Sequence, residues 1–254
     1  MKEQGVMVTT GSVLLSVAWA IIDKIERDAM ELGREPSSYI FYSPDLHNFL
    51  EGFGRTPPNS FIVYLSPYHG QDDEEELEIN NSIKVIFRRL EGDGRSYREL
   101  MDSVYKIPFI YDSSLLRKYS VNTNQTGVEY ILLYLSDSRL VYLEGERFHV
   151  SIPSIQSSVV SLHTHPEQSC MLSHADVESA LDSLVSGAIM AGAVTTKCAV
   201  VLRRRNLVTE EDFIELKKLA SFLRRKKLDY RLVQTRIYEL NKKMESVILD
   251  FLYY

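Results

Sequence analysis

The chain has 254 residues, enough for one large domain or two smaller ones. Hydrophobic residues make up 44% and charged residues 25%, an ordinary globular mixture that excludes a disordered or fibrous chain. The formal charge of -6 argues against a nucleic-acid binder held by global charge.

The first strong pattern is apolar. Val13 to Ile22 is the longest apolar run, far shorter than the roughly 18 residues a membrane span needs. Lys2 and Glu3 cancel, so the positive start of a signal peptide is missing. Apolar positions continue at helical spacing through Ile25, Ala29 and Leu32, which predicts an amphipathic helix from about Ser12 to Leu32. Cys170 and Cys198 are too few for a disulfide scaffold and point to a reducing compartment. The expectation is a soluble, cytoplasmic protein with no membrane and no nucleic-acid partner.

A short β-rich run from Ser38 to Tyr42 follows, then a helix start at Ser43-Pro44-Asp45. Ser60 to Leu65 and Ile83 to Phe87 read as buried strands. Between them Pro67, Gly70 and the run Asp72 to Glu76 read as an exposed acidic loop. Residues 1–120 carry 13 basic and 19 acidic side chains, so the whole charge excess lies in this half. A helix near Tyr97 to Tyr105 completes an N-terminal α/β unit without a catalytic motif. The polar stretch Asn122 to Gly127 reads as a linker, dividing residues 1–121 from 122–208.

Beyond it the pattern turns strand-rich. Strands are expected at Val128 to Leu135, Leu140 to Leu143, Arg147 to Ile152, Ser158 to His163 and Cys198 to Leu202, with a helix from Ser173 to about Val185. Residues 209–254 read as a helical extension opened by a capping box, Thr209 to Asp212. Apolar residues at Tyr230, Val233, Ile237, Leu240, Met244, Val247 and Phe251 form a heptad seam. Packing on the chain's own domain is favoured over a homodimer through this helix.

His163-Thr-His165-Pro166 carries the chemistry. Side chains in a strand alternate with period two, so both imidazoles share a face. Two nitrogen ligands suit a zinc ion, and Asp176 on the following helix could supply a third while a fourth position stays open for water. Ser173 and Asp176 also read as an ordinary capping box, and the two roles are compatible because a carboxylate has two oxygens. An HxH alone arises by chance in roughly one chain in seven; with Ser and Asp at these offsets the expectation is on the order of one in a thousand.

His163, His165, Pro166, Ser173 and Asp176, at these spacings, resemble the JAMM motif of the MPN-domain (Mov34/Pad1-like) metalloproteases, over roughly residues 110–205. The resemblance implies an α/β fold, an MPN-like (cytidine-deaminase-like) curved mixed sheet flanked by helices. It implies Zn2+ held by His163, His165 and Asp176, with Ser173 donating to the oxyanion. It implies hydrolysis of peptide or isopeptide bonds, the partner being a ubiquitin-like protein or peptide substrate. The family's general base lies on an early strand, where Glu129 is the best match. Glu129 shares a strand face with Ile131, Leu133 and Leu135, and partial burial would raise its pKa toward a useful range. The other reading is a strand-end glutamate reaching solvent. Leu132 and Ser136 replace the small residues that usually follow that glutamate, and Glu144 and Glu146, in a Glu-Gly-Glu turn, are fallbacks.

Other signals are weaker. His174 reads as a solvent-facing residue of the first helical turn, and Cys170 as a non-ligand although thiolate ligation is conceivable. His47, His69 and His149 have no partners at metal spacing, and Gly92-Asp-Gly94 lacks the dinucleotide fingerprint. Arg203 to Arg205 and Arg224 to Lys227 read as solvated basic blocks. The expected function is a JAMM-type zinc isopeptidase or peptidase. The alternative is a non-catalytic MPN-like scaffold or protein-binding module.

Overall fold

The computed structural model describes residues 3–70, 72–147, 157–166, 170–224 and 230–253. In chain order the elements are β1 (Gln4–Met7), α1 (Thr10–Glu31), β2 (Ile40–Tyr42), α2 (Pro44–Leu50), β3 (Ser60–Ser66), β4 (Glu74–Ile79), β5 (Ile83–Arg89) and β6 (Arg95–Ser96). Then come α3 (Tyr97–Val104), α4 (Ile107–Tyr111), α5 (Ser113–Thr126), β7 (Val128–Leu135), β8 (Leu140–Arg147), β9 (Ser158–Thr164) and α6 (His174–Val185). The last are β10 (Met190–Val194), β11 (Cys198–Arg204), α7 (Glu210–Leu223), α8 (Tyr230–Asn241) and β12 (Val247–Tyr253). The class is mixed α/β, as expected. Among the described residues no helix is long and apolar enough to cross a membrane.

Two compact units form, and they do not follow the chain in blocks: Met7–Ser113 with Tyr134–Leu140, and Met1–Val6 with Ser114–Leu133 and Val141–Tyr254. The stretch expected as a linker closes α5 instead. Thr126 donates to the Asn122 carbonyl, and Gly127 ends the helix at φ 73°, a left-handed position glycine takes without strain.

The unit of residues 7–113 holds a five-stranded sheet in the order β4-β5-β3-β2-β6, with β3 and β5 parallel and the other pairs antiparallel. Of the acidic run expected as a loop, Glu74 to Glu76 instead begin its edge strand β4, and Asp72 and Asp73 precede it. Cross-strand cations explain why. Glu74 lies opposite Arg88 in the ladder and accepts from its Nη2 at 2.8 Å, while Lys84 donates to Glu76 at 2.5 Å. Glu75 accepts from Lys24, a buried residue of α1, at 2.8 Å, and Asp28 accepts from the same ammonium at 2.9 Å. Burial pushes the Lys24 ammonium down, but these two carboxylates outweigh it and hold its pKa above the ordinary value.

The second unit holds a seven-stranded sheet in the order β1-β8-β7-β9-β10-β11-β12. β9 and β10 run parallel; β10, β11 and β12 are successively antiparallel. β10 (MAGAV) escapes sequence reading because alanine and glycine are poor strand formers. Packing selects them: a Cβ on Gly192 would stand 2.3 Å from the Val200 carbonyl oxygen. The strand expected from Arg147 to Ile152 falls mostly outside the described residues. Glu144 and Glu146 lie in β8 rather than in a turn.

The C-terminal segment is not helical throughout; it ends in β12. The seam residues Val233, Ile237, Leu240, Met244 and Val247 are buried with Val177, Leu181 and Leu216 of α6 and α7, so they are spent on the chain's own core. Arg203 and Arg204 are not solvated either. They sit buried in β11, Arg203 donating to Asp250 at 2.6 Å and Arg204 to the carbonyls of Ala188 and Gly187 at 2.8 and 3.1 Å. Arg224 pairs with Glu178 at 2.8 Å.

Half of the expected capping box forms at α7. The Thr209 side chain accepts from the Asp212 backbone N–H, but the Asp212 carboxylate turns elsewhere. It accepts the backbone N–H groups of Glu245, Ser246 and Val247 at 3.3, 2.8 and 3.1 Å, and the Ser246 hydroxyl. This buried carboxylate therefore fixes where β12 begins. Asp212→Ala strands those donors and is expected to cost about 3 kcal/mol. The readout is a lower urea midpoint at unchanged slope. A loss below about 0.5 kcal/mol would mean that water replaces the carboxylate.

Candidate metal centre

β9 is buried along most of its length and its side chains alternate between two covered faces. Thr164 and Tyr130 face α5: the Thr164 hydroxyl bonds that of Thr123 at 2.6 Å, and the Tyr130 ring lies 4.7 Å from that of Tyr119. Alternation then sends His163 and Glu129 to the opposite face. There α6 covers the sheet. His163 is in register with Ala193, which shares a core with Val177 and Leu181 of α6. His163 closes the strand's inward run, and His165 follows just past its end, its backbone N–H donating to the Val194 carbonyl at 2.9 Å.

Asp176 enters from the first turn of α6. Ser173 is the N-cap; its hydroxyl accepts the Asp176 N–H at 3.2 Å, and Asp176 Oδ2 accepts the Ser173 N–H at 2.6 Å. The capping box is complete, and the carboxylate still meets both imidazoles. Asp176 Oδ1 lies 3.1 Å from His163 Nε2, and Oδ2 lies 3.4 Å from His165 Nε2. The two Nε2 atoms are 2.9 Å apart. The cap and the approach to both imidazoles coexist in one carboxylate. Burial would push its carboxyl up, but hydrogen bonds and charge from His163 and His165 outweigh this and hold it well below the usual carboxylate range.

These three residues could hold a metal ion: one ligand atom from each falls within 4.8 Å of the others. The spacing is informative. Tetrahedral ligands about 2.0–2.1 Å from zinc stand about 3.3 Å apart; the two Nε2 atoms are closer than that at 2.9 Å, and Asp176 approaches the imidazoles with different oxygens, Oδ1 at 3.1 Å and Oδ2 at 3.4 Å. Two imidazoles and one carboxylate also suit zinc chemically, and three protein ligands leave a fourth position open.

Glu129 is buried, 8% exposed, on the face shared with His163. The strand-end glutamate reaching solvent is therefore not what forms. It is not one of the clustered ligands. Glu144 is engaged elsewhere, its carboxylate accepting the Glu3 N–H at 2.7 Å beside β1 and its charge acting on Tyr130, which faces α5. Ser173 is exposed, and its hydroxyl oxygen accepts the capping bond while its proton stays available to donate.

Cys170 is not a ligand. It is joined to Cys198 at the start of β11, with the Cα atoms 6.0 Å apart, and no cysteine is free. His47 and His69 join no metal-ligand cluster among the described residues; His149 lies outside them. Sequence reading missed Thr164, whose buried hydroxyl also accepts the Tyr130 N–H at 2.9 Å. A hydroxyl residue inside an otherwise apolar buried strand was the available signal.

Protein purified without added zinc should carry about one zinc per chain by elemental analysis, and His163→Ala/His165→Ala should carry none. Wild-type protein that holds no zinc even after reconstitution would end the metal-centre reading.

No family model matches this chain, and comparisons with curated proteins and with solved structures give no match either.

Proposed function

We propose that this chain is a zinc-dependent hydrolase of peptide or isopeptide bonds, built on an MPN-type sheet and acting on conjugates of ubiquitin-like proteins. One observation carries the reading: one ligand atom each from His163, His165 and Asp176 lies within 4.8 Å of the others, with the buried Glu129 on the same face of the neighbouring strand. The spacing of the motif, shared with the JAMM metalloproteases, supports the substrate class.

Zinc bound by the three ligands would supply a Lewis acid that polarises a carbonyl and makes water acidic enough to attack near neutral pH. The remaining work belongs to the chain. Glu129 takes a proton from the attacking water on one carboxylate oxygen and later delivers it to the leaving lysine or amine nitrogen. The Ser173 hydroxyl donates to the carbonyl oxygen as negative charge gathers there. Burial of His163 and Glu129 keeps bulk water from screening these charges. Asp176, pinned at the helix start, cannot swing away from the imidazoles without giving up the cap.

Glu129→Gln keeps the shape and removes the base. Turnover of a lysine-linked isopeptide substrate is expected to fall by about 10²–10⁴ while zinc content stays at the wild-type level. Activity retained in that variant would move the base elsewhere. A wild-type protein with zinc that cleaves neither peptide nor isopeptide bonds would favour the non-catalytic scaffold.

A further inference from the structure

We propose that Thr164 is a positioning residue, whose hydroxyl holds Glu129 in register with the two histidines. Thr164 stands between His163 and His165 but faces the other side of the sheet. It is fully buried, as is Thr123 of α5. Its Oγ1 accepts the backbone N–H of Tyr130 at 2.9 Å and shares a hydrogen bond with Thr123 Oγ1 at 2.6 Å. Tyr130 directly follows Glu129. The backbone of Tyr130 is thus bonded by a side chain, which also lies 3.5 Å from the Tyr130 carbonyl oxygen, and that side chain belongs to the residue between the two histidines.

The consequence is geometric. A strand that slips by one residue turns every side chain to the other face. Glu129 and the histidines come from neighbouring strands, and their distance depends on how the ends of β7 and β9 are fastened. The Thr164 hydroxyl is a fastening at that end, one residue from Glu129 on one side and one from each histidine on the other. Thr123 braces it from α5. Valine has nearly the shape of threonine but leaves both the Tyr130 N–H and the Thr123 hydroxyl without this partner. Serine keeps the hydroxyl.

This inference rests on the metal-centre reading and on Glu129 as its neighbouring base, and the test separates them. Co2+ is added to wild type, Thr164→Val, Thr164→Ser, Thr123→Val and Glu129→Gln, and affinity and the visible absorption bands are recorded. Thr164→Val should bind Co2+ within about threefold of wild type yet show band intensities displaced toward those of Glu129→Gln, and Thr164→Ser should return to the wild-type spectrum. A residue supporting the ligands instead would cost about 10–100-fold in affinity, and that result overturns the proposal. So does a Thr164→Val spectrum identical to wild type. If Thr164→Val does not fold, Thr123→Val decides: a spectrum shifted in the same sense supports the brace, and an unchanged one overturns it. Wild type that takes up no Co2+ fails the metal-centre reading itself. Wild type that binds while Glu129→Gln leaves the bands untouched fails the assignment of Glu129.

Discussion

Asp176 serves two groups with one carboxylate, and the centre depends on both. Oδ2 accepts the Ser173 N–H and lies at 3.4 Å from His165, while Oδ1 faces His163 at 3.1 Å. The cap fixes the start of α6, and the start of α6 fixes where the carboxylate stands. Positioning a candidate ligand in this way needs no long flexible side chain, so little side-chain entropy is left to lose.

The surrounding architecture makes this possible. β9 and β10 are parallel, and α6 is the crossover between them. In such a unit, ligands gather beyond the carboxyl end of the strand, beside the amino end of the helix. The cluster lies there, with His163 from the strand, His165 just past its end and the carboxylate from the helix. A carboxylate in the first turn also meets the positive end of the helix dipole. Small residues in β10 let β11 approach closely, and the Cys170–Cys198 bridge ties the segment before Ser173 to β11.

The unit built around α1 follows a different logic. Its acidic strand is neutralised by its own neighbours: Arg88 and Lys84 across the ladder, and Lys24 from the buried side of α1. A charge run that would recruit a basic partner were it free is instead spent largely on strand pairing. Exposed pairs of this kind contribute little each, but they permit an edge strand that repels unpaired acidic copies of itself.

Local relations were legible from the residues alone. The period-two spacing of His163 and His165, the Ser173–Asp176 cap, the long α1 helix and the inward face of β7 all link positions a few residues apart, where chain geometry dictates the outcome. Glu129 was legible as a candidate on an apolar strand face, but the choice between burial and reaching solvent was left to the tertiary structure, since burial depends on what covers the strand. What the tertiary structure decided involves residues far apart in sequence. The buried Arg203 and Arg204 found partners at Asp250 and at the carbonyls of Ala188 and Gly187; Asp212 found the turn at Ser246; and Thr164 found Tyr130 and Thr123. A polar side chain in a sequence carries a demand for a hydrogen-bond partner but no address for it. Only packing supplies the address, because desolvating the group makes one arrangement cheaper than all the others.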